Sequence, residues 1–242
     1  MKSAGLAVME EWTSGNRRFD LWIPERNIGV EIQRSPMSAV EWQRRAILDA
    51  QAGQTVRWIG FHPSSGVTLK LQGWMRQALL QNGFLDLVVQ HQLRRFRHPI
   101  PFAKHHVYCT VQPLSLQEFL ANDILPFPRK FSTIRWQGII RRYRERPFYS
   151  SFPPRMLRNP LYEAGLTLQS LPLHVFLPLT YLLALPVHPF EFQIAVFLQL
   201  RGEYSASKLE QAILYVLNRM NLAIESSVLE QLVMEWLAEL DL

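Results

Sequence analysis

Two short apolar segments near the start of the chain each carry one acid, at a spacing suited to hydrolysis. The first is Arg18-Phe19-Asp20-Leu21-Trp22-Ile23. The second is Ile28-Gly29-Val30-Glu31-Ile32-Gln33, followed by Arg34-Ser35-Pro36. Two carboxylates on neighbouring strands hold a hard divalent cation, and a polar group beside them positions a water. That is the minimum for metal-assisted phosphodiester hydrolysis. Asp20 and Glu31 are the candidate ligands for Mg²⁺ or Mn²⁺. The backbone carbonyl of Ile32 offers a further oxygen, and Gln33 is the candidate for orienting the water.

The surrounding elements must bring these groups together. Ile28, Val30 and Ile32 alternate with Gly29, Glu31 and Gln33, which is a strand pattern that puts Glu31 and Gln33 on one face. Pro24-Glu25-Arg26-Asn27 has turn chemistry, so the two segments read as a hairpin in which Asp20 lies across from Glu31. Leu6 to Trp12 reads as a further strand. Ser38 followed by Glu41 is a capping box that opens a helix running to about Gln51 and ending at Gly53. Val40, Ile47 and Leu48 are its predicted buried side, with Arg44 and Arg45 partly exposed. Thr55 to Phe61 follows as a central strand. Asp86, alone among apolar residues in a strand predicted over 84–90, reads as an edge or turn position and not as a metal ligand.

Charge divides the chain further. Residues 1–90 carry 10 basic and 8 acidic residues, residues 91–160 carry 13 and 3, and residues 161–242 carry 3 and 9, for net charges of +2, +10 and −6. A concentrated basic block suits a polyanion, most commonly nucleic acid. Its candidate contacts are Arg94, Arg95, Arg97, Arg129, Lys130, Arg141, Arg142 and Arg144, with Arg44 and Arg45 from the first helix. Aromatics interleaved with these arginines slightly favour single strands. Trp136, Ile139, Ile140 and Tyr143 lie at helical spacing and are predicted core. The single cysteine, Cys109, fits a reducing compartment, and the absence of an apolar leader after Met1 predicts a cytoplasmic protein. Residues 164–190 lack charge, but prolines at 172, 178, 186 and 189 make short buried helices the better reading than a membrane span. Helices are predicted from Pro189, Ser207 and Ser227.

The stretch from Asp20 through Glu31-Ile32-Gln33-Arg34-Ser35-Pro36-Met37-Ser38, Glu41, Arg45 and Val56-Arg57-Trp58-Ile59-Gly60 resembles the competence protein family CoiA, whose nuclease core belongs to the PD-(D/E)xK superfamily. The likeness covers about residues 5 to 61. It implies Asp20 and Glu31 as metal-binding acids, Gln33 at the position of the superfamily's catalytic lysine, and Arg45 as a helix arginine holding a phosphate. It also implies a role on DNA in natural transformation, with recombination proteins as partners. Three departures matter: Gln33 in place of the superfamily's lysine, Asp49 where the family helix has Tyr, and a family N-terminal segment and first helix with no counterpart here. The expected architecture is therefore α/β: a restriction-endonuclease-like core ordered β-β-β-α-β over 1–90, a basic Arg/aromatic segment over 91–160, and a mainly α-helical C-terminal domain over 161–242. The expected activity is metal-dependent DNA hydrolysis, with a catalytically weak or inactive DNA-binding accessory factor as the alternative.

Overall fold

The computed structural model describes residues 7–14, 17–63, 66–121, 131–146, 152–200 and 202–240. Alternating apolar segments pair into one mixed sheet of eight strands, and eight helices accompany it among the described residues. The first elements are β1 (Met9–Ser14), β2 (Arg17–Ile23), β3 (Ile28–Gln33), α1 (Ala39–Gln51) and β4 (Thr55–Phe61). Next come β5 (Thr68–Lys70), α2 (Gly73–Asn82), β6 (Phe84–Val89), β7 (Gln92–Ala103), β8 (His106–Pro113) and α3 (Leu116–Ala121). The order across the sheet is β1-β2-β3-β4-β6-β7-β8-β5. β1, β2 and β3 are successive antiparallel neighbours, β3-β4 and β4-β6 are parallel, and β6-β7 is antiparallel. The parallel pairs follow from α1 and α2, which return the chain between strands of like direction.

The chain divides into two compact units, residues 1–99 with 108–130, and residues 100–107 with 131–242. In the first, Ile23, Ile28, Val30 and Ile59 form an apolar cluster with Phe119 and Leu120 of α3. Trp42, Trp58 and Trp74 form a row, with ring centroids 6.4 Å apart at each step. Gly60 permits the closest approach beside it. A Cβ there would lie 2.7 Å from Leu87 and 2.8 Å from Trp74, both buried. Gly60→Ala is therefore expected to cost about 1–3 kcal/mol of stability through overpacking, read as a lower urea midpoint with unchanged slope.

Asp86 is not an edge or turn residue. It sits within β6, between β4 and β7, opposite Ile59 on one side and Arg95 on the other. It is 2% exposed and holds Arg95, 1% exposed, through two hydrogen bonds of 2.7 Å. A buried acid among apolar residues reads as a misfit along the chain, because its partner lies on the next strand. The α1 surface also inverts expectation: Val40 and Ile47 are 75% and 58% exposed, Leu48 is exposed, and Trp42 and Asp49 are buried instead. The helix turns its charged side inward because β3 presents Glu31 there.

The second unit contains α4 (Thr133–Arg144), α5 (Arg155–Glu163), α6 (Pro189–Leu200), α7 (Ala206–Arg219) and α8 (Ser226–Glu239), with short 3-10 turns at Leu173–Val175 and Tyr181–Ala184. Trp136, Ile139, Ile140 and Tyr143 are buried, as their spacing predicts. α7 is capped by Ser205, whose hydroxyl accepts from the Lys208 N–H, two residues before the predicted capping serine. α8 likewise starts earlier than predicted, at Ser226. No described helix is long and apolar enough to cross a membrane.

His188 packs among Tyr143 and Phe190, with ring centroids at 5.1 and 5.8 Å, and neither ring nitrogen has a hydrogen-bond partner. Burial, reinforced by the Arg146 charge, lowers its pKa to about 4 from an ordinary 6.5. The folded chain thus binds a proton less readily than the unfolded chain. Stability is full above pH 6.5 and falls as pH drops from 6.5 through 4, by about 3 kcal/mol in total. Urea midpoints measured across this window should fall for the wild type, and the slope should flatten in His188→Phe.

Candidate active site

β2 and β3 pair through Ile23↔Ile28, Trp22↔Gly29 and Leu21↔Val30. At the next position the side chain of Asp20 replaces the ladder, its Oδ2 accepting from the Ile32 N–H at 2.6 Å. Asp20 is exposed and lines an open groove with Glu10, Glu11, Ile32, Gln33 and Arg34. The Gln33 amide nitrogen donates to the Ser35 carbonyl at 2.5 Å and to its hydroxyl at 3.3 Å, which turns it along its own loop.

Glu31 occupies a different setting, beneath α1. Arg17, at the start of β2, reaches it with Nη2 at 3.1 Å while its Nε and Nη2 donate to the Asp49 carboxylate at 2.6 and 3.2 Å. Arg45 approaches the second Glu31 oxygen at 3.9 Å, and its Nε donates to Glu41 at 2.7 Å. Desolvation pushes the Glu31 carboxyl up to about 7 against the opposing pull of Arg17, with the Asp20 charge adding to the rise. Glu41, by contrast, is held down to about 2 by hydrogen bonds from Arg44 and Arg45. Asp20, Ile32 and Gln33 therefore share one groove, whereas Glu31 and Arg45 belong to a charge cluster with Arg17 and Asp49.

Sequence reasoning missed Arg17 and Asp49. Asp49 lies one turn beyond Arg45, and Arg17 two positions before Phe19, so both faces were readable. The role of Asp49 is to anchor Arg17, which also stacks 5.4 Å from the Phe19 ring.

The donor chemistry fits a hard divalent cation. Mg²⁺ takes one or two protein carboxylates and completes its shell with water and phosphate oxygens. The second Asp20 oxygen faces the groove, whereas Glu31 is held by Arg17. Among the described residues no group of three or more His, Cys, Asp or Glu side chains is arranged to hold a metal.

The basic residues divide by burial. Arg44, Arg141 and Arg142 are exposed. Arg44 is bound to Glu41 through Nε at 2.9 Å. Arg94 is half-buried and donates to Gln92. Arg144 is half-buried and donates to the Leu171 carbonyl beneath the Phe176 ring. Arg95 and Arg97 are corrected as polyanion contacts: both are buried, Arg95 against Asp86, and no phosphate reaches them from solvent. Arg129 and Lys130 lie outside the described residues. Cys109 is buried and its thiol is pushed up by desolvation, which removes thiolate chemistry.

Comparison with protein-family models, with curated proteins and with solved structures finds no match for this chain.

Proposed function

We propose that the chain is a CoiA-like DNA-processing protein with a restriction-endonuclease-like core and a helical C-terminal domain, hydrolysing phosphodiester bonds with Mg²⁺ or Mn²⁺ in natural transformation. The observation that carries this reading is the Asp20–Ile32 hydrogen bond. It pins an exposed carboxylate against the β3 backbone, beside Gln33 and one residue from a second acid. Asp20 and Glu31 would hold the cation, with the Ile32 carbonyl as a further donor. When bound, the cation supplies charge stabilisation and an activated water. Gln33 contributes no positive charge, so its part is hydrogen bonding to water or phosphate. Arg45 is the nearest guanidinium to Glu31 outside the Arg17 bridge and is suited to a phosphate oxygen.

A second reading rests on Arg17. Its guanidinium already bridges Glu31 and Asp49. This favours a DNA-binding accessory factor for recombination, in which the acids hold β2, β3 and α1 in place. Cleavage of labelled single- and double-stranded DNA with Mg²⁺ or Mn²⁺, comparing wild type with Asp20→Asn, decides between them. Cleavage lost in the variant supports the enzyme. Absent cleavage with salt-sensitive DNA binding supports the accessory factor.

A further inference from the structure

The second unit contains a cavity of about 300 Å³, formed where α4 ends and around α5 and its exit. Its walls combine two aromatic rings, Phe152 and Tyr162, with two guanidinium groups, Arg146 and Arg158. Among the described lining residues there is no acid.

Arg146 and Tyr162 are exposed, and Arg158 and Phe152 are half-buried. The Arg146 guanidinium lies 5.3 Å from the centre of the Tyr143 ring and 5.5 Å from that of the Phe152 ring. Burial raises the pKa of the nearby Glu191 carboxyl, against the opposing pull of the Arg146 charge. Arg158 is steadied by donating to the Pro153 carbonyl at 3.2 Å. Tyr162 is 85% exposed, an unusual setting for a large ring. Gln169 is fixed by donating its amide to the Arg144 carbonyl at 3.0 Å.

A flat apolar wall beside two cations selects a ligand that has both a planar unsaturated ring and an anionic group. Aromatic faces bind bases by stacking, and guanidinium groups bind phosphate oxygens in pairs. The volume stands at the small end of ligand cavities, too small for a duplex and sufficient for one ring with a sugar and a phosphate. We propose that this cavity binds a single nucleotide unit, its base against Tyr162 and Phe152 and its phosphate on Arg146 and Arg158. This deepens the DNA reading, on which it rests for a DNA strand as the source of that unit.

The test is calorimetric titration of the full chain with dAMP, with a short oligothymidylate and with inorganic phosphate. The expected result is that dAMP binds and inorganic phosphate binds at least about tenfold more weakly, because it forgoes stacking. Arg146→Gln and Tyr162→Ala should each weaken dAMP by about tenfold, and Tyr162→Phe should restore it. Both side chains are exposed, so unchanged melting temperatures will show that the variants fold. Oligothymidylate that displaces dAMP identifies the strand as the source. Failure to displace it identifies the free nucleotide. No binding of dAMP, equal binding of phosphate, or affinity insensitive to both variants would overturn the proposal. Asp20→Asn should leave dAMP affinity untouched. Loss of the cleavage reading therefore leaves this site standing, and absence of dAMP binding beside Asp20-dependent cleavage sinks this site alone.

Discussion

Under the nuclease reading proposed above, Asp20→Asn should lower DNA cleavage by at least about a hundredfold while leaving DNA affinity unchanged. Asparagine keeps an oxygen that accepts from the Ile32 N–H, so the strand pairing seen at 2.6 Å survives. What it removes is the negative charge that a divalent cation requires. Loss of one preorganised electrostatic contact typically costs about 10²–10³ in rate, or roughly 3–4 kcal/mol of transition-state stabilisation. Asp20→Ala is a poorer probe, because it also leaves the Ile32 amide without its acceptor. Glu31→Gln tests the second acid. It retains a hydrogen-bond acceptor for Arg17 but no charge, and it should lose cleavage to a similar extent. Cleavage by Asp20→Asn at the wild-type rate would remove Asp20 from the chemistry.

Asp86→Ala should be the most damaging single substitution for stability, at about 3–5 kcal/mol. The carboxylate holds Arg95 in a two-point pair at the middle of the sheet, with Arg95 also 4.1 Å from the Phe84 ring. Arg57 is buried close by and its pKa is lowered by desolvation and by the Arg95 charge, and Arg97 is affected in the same way. Removing Asp86 leaves like charges facing each other in low dielectric. The double variant Asp86→Leu/Arg95→Leu should recover much of the loss, since replacing a whole buried pair is far milder than halving it. Urea unfolding of the single and double variants gives the coupling directly. A single variant within about 1 kcal/mol of wild type would show that the pair is not an important source of stability, given typical totals of 5–15 kcal/mol.

Local signals in the chain determined many of the helices and strands, but not β7 and β8, which lie in what reads along the chain as a basic segment. Ser38 caps α1 through the Glu41 amide as its spacing implies. Gly83 closes α2 in the left-handed conformation that a residue without Cβ takes readily. The spacing of Trp136, Ile139, Ile140 and Tyr143 marked a buried face. All of these depend on neighbours within a few residues. The tertiary structure decided whatever depended on distant partners. Asp86 reads as misplaced until Arg95 is set beside it by β7. The apolar positions of α1 read as its core side until β3 presents Glu31 and β2 presents Arg17, which draw Asp49 inward. Asp20 and Glu31 lie eleven positions apart in the sequence, and that spacing supplied two acids on adjacent strands. Whether each meets a backbone amide, a guanidinium or solvent was settled by which groups the sheet and α1 bring within hydrogen-bond reach, because desolvation penalises any buried charge left without a partner.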